Sequence, residues 1–295
     1  MQFKMRTITL CLVLGAFSCL TNSARSDDIP EGEIYSYKEE DGVTREMEIH
    51  FPKDHDAATE LVPGIIMFHG GGWGGGKRDQ FRYLCHYFAK RGLVAATVSY
   101  RLATKADNGE GSRKRVCITD AKSAIRWYKQ HAKKLGIDAQ RIIAGGGSAG
   151  GHVSLLATTN PELNDPHDNR AHDTSVVAYL LFNPALGMAD AKDSEVDFLQ
   201  HIHPDFPPAI VFFGSEDEKW LKGWNAAYTK MQSLDIRSVE LWIAEAQEHS
   251  FFNKQPWQDM TIRASDEFLK ALGLIKGEPT LMLPKTPEKL VKKSS

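Results

Sequence analysis

The sequence predicts an α/β protein: an open, mostly parallel sheet with helices on both faces. Three observations predict it. Six apolar runs show no alternation, as strands covered on both sides do. Helix-like segments separate them, which is the order that builds parallel sheets. One crossing from strand-like to helix-like sequence, Ala144-Gly145-Gly146-Gly147-Ser148-Ala149-Gly150-Gly151-His152, is almost stripped of side chains.

At 295 residues, the chain is long enough for one large domain with a substantial core. Apolar residues make up 42% and charged residues 25%, an ordinary globular balance, and the net charge of -2 points to no nucleic-acid partner. No apolar run reaches the roughly 18 residues of a membrane span.

In chain order, residues 1–26 are expected to be a signal peptide. Lys4 and Arg6 form a basic start, residues 7–20 an apolar middle, and Asn22-Ser23-Ala24-Arg25-Ser26 a small-residue cut site. Cleavage falls after Ser26 or after Ala24, and the expected location is secreted or periplasmic. Two other readings are a buried N-terminal helix and lipid anchoring at Cys19, for which Phe17 is too bulky an upstream neighbour. Removal of Lys4, Arg6 and Arg25 with no acid would take the net charge from -2 to -5. Of four cysteines, Cys85 and Cys117 would remain, as a pair or as two buried thiols.

Residues 27–275 are expected to form one folded domain. Glu33–Tyr37 and Thr44–Phe51 alternate around Glu40-Asp41-Gly42, which reads as a hairpin. The unalternating strands follow at Gly64–Phe68, Leu93–Val98, Arg141–Ala144, Val176–Phe182, Ala209–Phe213 and Val239–Ile243, giving about eight strands in all. Helices are expected at Asp79–Arg91, Cys117–Leu135, His152–Thr158, Glu218–Leu234 and Gln258–Leu272. Residues 276–295 are a Pro- and Lys-rich tail, expected to be poorly ordered or laid over the surface.

Gly146-Gly147-Ser148-Ala149-Gly150 is a G-x-S-x-G pentapeptide between an expected strand and an expected helix. So sharp a turn strains the serine backbone and leaves no room for side chains two positions either side. It would lift the Ser148 hydroxyl above the sheet and aim the Ala149 amide at an oxygen beside it. A phosphate cradle would lack its Lys and Ser/Thr here. His69-Gly70-Gly71-Gly72-Trp73, directly after a strand, would let backbone N–H groups approach a substrate oxygen. Gly74-Gly75-Gly76 follows, so a flexible surface loop is the plainer reading of that stretch alone.

On these two motifs the sequence resembles the α/β-hydrolase esterases, in the hormone-sensitive-lipase and acetyl-xylan/feruloyl-esterase branch. Ser99-Tyr100-Arg101-Leu102-Ala103, Asp120–Trp127, Ile137–Ile142 and Pro207-Pro208 add to the likeness, which spans about residues 60 to 272. The resemblance implies oxyanion donors at Gly71, Gly72 and Ala149. It implies the chain order Ser, acid, His for a catalytic triad. The family's G-[ST]-x-D pattern falls on Gly214-Ser215-Glu216-Asp217 and points to Asp217, with Glu216 and Glu218 as positional rivals. His249 is the sole histidine after Asp217, and His249-Ser250-Phe251 matches the family's H-x-F.

The implied activity is that of an exported serine carboxylesterase. It would cleave short acyl esters through an acyl-enzyme, including acetyl groups on polysaccharide, with no cofactor and no metal. Only about 20 residues separate Pro184 from Pro207, leaving no room there for a large cap and favouring an open cleft for a small-molecule or carbohydrate ester. A peptidase or amidase on the same triad, and a non-catalytic binding protein, are the competing classes.

Trp73 and Trp220 are expected at the substrate pocket, and Trp224 and Trp257 lie near the same loops in sequence. Asp165, His167, Asp168, His172 and Asp173 read as a solvated polar loop rather than a metal site. Lys77 and Arg78 read as solvated rather than substrate-attracting. Asp120 is expected to orient the start of its helix, and His152 to pack beside the serine turn.

Overall fold

Glu33–Glu40 (β1) and Val43–His50 (β2) pair antiparallel, as their alternation requires. The computed structural model describes residues 29–40, 42–102 and 110–293. The expected leader with Cys19 lies outside the described residues.

The strands Val62–Phe68 (β3), Val94–Val98 (β4), Ile137–Gly147 (β5), Ala178–Phe182 (β6), Ala209–Gly214 (β7) and Val239–Ala244 (β8), buried throughout except in the first half of β5 and the middle of β8, form the parallel body of one sheet. Its order is β1-β2-β4-β3-β5-β6-β7-β8-β9, where β9 is Leu290–Lys292. The absence of alternation now has its cause. Ile66 and Phe68 of β3 enter one core, while Ile65 and Met67 enter the other. Val211 and Phe213 of β7 divide from Ile210 and Phe212 in the same way.

Helices Glu110–Gln130 (α2), Ala149–Thr159 (α4) and Glu218–Ser233 (α5) supply the first core; Arg82–Lys90 (α1) and Trp257–Ala271 (α6) supply the second. A short turn of helix, Ala132–Leu135 (α3), leads from α2 into β5. Cys85 belongs to one core and Cys117 to the other, so both are buried on opposite faces of the sheet and are not bonded to each other. Burial pushes the Cys85 thiol well above its ordinary range.

Several differences from the sequence reading have physical reasons. Among the described residues the sheet has nine strands, one more than the expected eight or so, because part of the tail adds as β9. It lies antiparallel to β8, and Lys292 pairs with Glu240 at 2.7 Å. Helix α2 starts at Glu110 instead of Cys117, since its first turns are charged and hide the apolar period. Asp120 therefore sits inside the helix. Its buried carboxylate accepts from Lys38 Nζ (2.8 Å) and the Arg101 backbone N–H (2.8 Å), tying β1 and the segment after β4 to α2.

The loop at residues 165–173 is likewise less solvated than expected. Asp165 pairs with Lys38 at 2.6 Å, Asp168 with Arg126 at 2.7 Å, and Asp173 with Lys129. Arg78 is also engaged, 3.1 Å from Glu46.

Between β6 and β7 the chain makes only two short 3-10 turns, Met188–Lys192 and Phe198–His201. The C-terminal ends of β5, β7 and β8 thus face one open rim, where α/β sheets hold their ligands.

Candidate active site

Strand β5 runs straight into α4 through Ser148, whose φ of 51° and ψ of -117° lie where a non-glycine residue is strained. The strain is held from several sides. The Ser148 N–H donates to the Phe182 carbonyl at 2.9 Å, and the Ser148 carbonyl accepts from Ala185 N–H at 2.9 Å. The glycines two positions away have no room for a methyl group: a Cβ at Gly146 would lie 2.5 Å from the Phe68 carbonyl oxygen, and one at Gly150 only 2.0 Å from it. Both clashes are with backbone, which cannot swing away. Gly150→Ala is expected to cost about 2–3 kcal/mol, the upper range for overpacking. A thermal melt should show Tm falling by about 5–10 °C for a domain of this size; an unchanged melt would contradict the steric account.

The turn delivers Ser148 Oγ to His249 Nε2 at 2.8 Å, and His249 Nδ1 lies 2.6 Å from Asp217 Oδ2. A carboxylate only accepts, so Nδ1–H donates to Asp217 and Nε2 is left to accept the serine proton. Asp217 sits at the start of α5, after β7, with its side chain 4% exposed, whereas the His249 side chain is 29% exposed. Glu216 and Glu218 are exposed, and among the described residues the imidazole's acidic partner is Asp217. The loops after β7 and β8 interlock, since a Cβ on Gly214 would meet the Gln247 carbonyl oxygen at 2.1 Å.

Two residues here escaped the sequence reading. Asn183 follows directly on β6 with φ of 39° and is fully buried. Its Oδ1 accepts from the Ser250 N–H at 3.0 Å, fixing the residue after the histidine, while Nδ2 stays 3.5 Å from His249 Nε2. The dipeptide Asn183-Pro184 marks a turn by sequence, but nothing local assigns it this contact. Gln80 is the second. Its Oε1 accepts from Gly70 N–H at 2.6 Å and its Nε2 donates to Asn253 Oδ1 at 3.2 Å, joining the glycine loop to the loop beyond His249.

The glycine loop crosses close to the serine: a Cβ on Gly70 would stand 3.3 Å from Ser148 Cβ. Its entrance is fixed by Tyr100, whose hydroxyl donates to the His69 carbonyl at 2.6 Å and whose ring stacks on His69 at 4.3 Å. Burial lowers the His69 pKa, keeping that ring neutral against Tyr100. Gln80 occupies the Gly70 N–H. Among the described residues the Gly71 and Gly72 N–H groups have no protein acceptor. Gly71 (φ 123°) and Gly72 (φ 61°) adopt backbone that L side chains rarely adopt, and a Cβ on Gly71 would run into the Gly75 carbonyl at 2.2 Å.

Trp73 and Trp220 form the side wall of the cleft. Their rings lie 6.3 Å apart at 69°, and Trp220 is 6.1 Å from the His249 ring. Trp73 Nε1–H donates to His152 Nδ1 at 3.3 Å, and His152 Nε2 lies 2.9 Å from the Val196 carbonyl. Burial first, then nearby Lys114, drives the His152 pKa down to about 4, so the imidazole is neutral and accepts from the indole. Trp224 and Trp257 are buried in the two cores instead.

The arrangement combines a hydroxyl on a strained turn, a histidine positioned to take its proton, a buried carboxylate behind it, and free backbone N–H groups alongside. Residues 47–182 match the family model described as BD-FAE. The probable carboxylic ester hydrolase LipM of Mycobacterium tuberculosis is 34% identical over 224 residues, covering 66% of this chain and 48% of LipM. Esterase LipC of the same organism is 30% identical over 191 residues, covering 55% of this chain and 46% of LipC. The chain thus spans about half the length of the curated relatives it matches. Among solved structures, Thermogutta terrifontis esterase 2 phosphoramylated by tabun superposes with a TM-score of 0.77 at 33% identity, covering 85% of this chain and 98% of that one. The same esterase with propionate bound gives 0.77 at 32% identity, with the same coverage.

Proposed function

The chain belongs to the α/β-hydrolase esterases of the hormone-sensitive-lipase-like branch, and from that membership we propose that it is an exported serine carboxylesterase acting on short acyl esters, including acetyl groups on polysaccharide. The observation that carries this reading is the continuous relay from Ser148 Oγ through His249 to Asp217, at 2.8 and 2.6 Å.

In the proposed reaction, Ser148 Oγ attacks the ester carbonyl carbon while His249 Nε2 takes its proton. The carbonyl oxygen becomes an oxyanion and accepts from the N–H groups of Gly71, Gly72 and Ala149. Asp217 stabilises the imidazolium. The C–O bond to the alcohol then breaks, and His249 returns the proton to the leaving oxygen. Water, deprotonated by His249 in turn, releases the acid and restores Ser148.

Short acyl groups are supported by the family neighbour with propionate bound. The short connection between β6 and β7, made of two 3-10 turns with no larger insertion, supports a bulky, soluble alcohol half. Export rests on the basic, apolar and small-residue sequence of residues 1–26. The deciding experiment is a series of nitrophenyl esters from acetyl to octanoyl, run beside acetylated xylan and an aminoacyl amide. Acetyl to butyryl esters should give the highest kcat/KM, with acetate released from xylan. Preference for the amide, or for octanoyl esters, would overturn the proposal.

A further inference from the structure

A pocket of about 400 Å³ opens beside the catalytic rim, running from Gly72 and Trp73 past Trp220 to α5. Because Trp220 lies 6.1 Å from His249, whatever fills the pocket is attached near the scissile bond. The two indoles make a corner, apolar faces on which a sugar ring can rest while its hydroxyls stay wet.

The charge of the pocket is the informative part. Asp190 is the one carboxylate among its described lining residues, and it is already spent. It pairs with Lys114, accepts from the Gly187 N–H at 3.1 Å, and is 5% exposed. Lys114 is held in turn, 4.2 Å over the Trp73 ring. Three lining cations remain, Arg113, Lys219 and Lys222, and none forms an ion pair among the described residues. Lys219 Nζ stands 4.2 Å over the Trp220 ring, a cation–π contact that leaves its N–H donors available. Glu216 and Glu218 share that turn of chain but do not line the pocket. In a protein of net charge -2, three unneutralised cations in a cleft beside the nucleophile form a local field that draws anions.

We propose that this pocket selects esters of acidic glycans: sugars bearing a carboxylate or sulfate close to the acylated hydroxyl, with Trp73 and Trp220 under the ring and Arg113, Lys219 and Lys222 facing the anion. The inference rests on the esterase reading above. It is tested on the full chain with nitrophenyl acetate, a neutral acetylated xylo-oligosaccharide, an acetylated oligogalacturonide and an acetylated sulfated xylo-oligosaccharide.

At low salt the acidic substrates should exceed the neutral one by about tenfold in kcat/KM, mostly through KM, and about 0.5 M salt should erase the difference. Lys219→Gln with Lys222→Gln should bring the acidic-to-neutral ratio close to one. A gain for both acidic substrates supports a general anion site, and a gain for the galacturonide alone supports carboxylate recognition. Hydrolysis of nitrophenyl acetate with a ratio near one in the wild type, or with a ratio insensitive to salt and to the double substitution, would overturn the proposal and leave the esterase intact. No hydrolysis of nitrophenyl acetate would overturn both.

Discussion

Ser148→Ala is expected to lower kcat for nitrophenyl acetate by roughly 10⁵–10⁶, the scale seen when a triad nucleophile is removed. The reason is local. Among the described residues Ser148 Oγ makes one hydrogen bond, to His249. The backbone at this position is held by the Phe182 and Ala185 contacts, which alanine keeps. Its positive φ is no worse for alanine than for serine, so the melt should stay close to that of the parent chain. Residual turnover would come from the backbone donors and from binding alone. Active-site titration with a fluorophosphonate gives the complementary measurement, in which the parent is labelled once per chain and the variant not at all. A variant that keeps its turnover would remove Ser148 from the chemistry.

Asp217→Asn is expected to cost about 10⁴ in kcat, by analogy with the protease case in which the same change turns the imidazole to the wrong tautomer. An asparagine can point its NH₂ at His249 Nδ1, which must then accept instead of donate. Nε2 would carry the hydrogen and could no longer take one from Ser148. The loss should appear in kcat with little change in KM, since Asp217 is buried behind the histidine and away from the substrate. Glu216→Gln, by contrast, alters an exposed side chain and should stay within about twofold, as most surface substitutions do in stability. The reverse ranking would move the acid one residue along the chain.

Much of this arrangement was legible in the sequence, for identifiable reasons. Strands buried on both faces must be apolar, so β3, β4, β6, β7 and the buried second half of β5 announced themselves as unalternating runs. The serine turn was legible because its geometry excludes side chains, which leaves glycines at Gly146 and Gly150 as a printed record of two backbone contacts. His249 was legible because the chain offers no other histidine after Asp217. What stayed hidden depends on contacts between distant segments. Gln80 and Asn183 are ordinary polar residues until folding sets one against Gly70 and the other against Ser250. The start of α2 was hidden by charges that pair across space, among them Lys114 with Asp190 and Arg115 with Asp193.

The tail segment that pairs with β8 alters how the folded protein meets its own copies. A parallel sheet that ended at β8 would present a row of open amide and carbonyl groups, a template for recruiting strands from other chains. Here Leu290–Lys292 covers the Trp242–Ala244 end of that row, with Lys293 N–H donating to the Leu241 carbonyl at 2.8 Å, and the lysines place charge along the new border. The molecule therefore carries its own stopper against aggregation, built from the least strand-like part of its sequence.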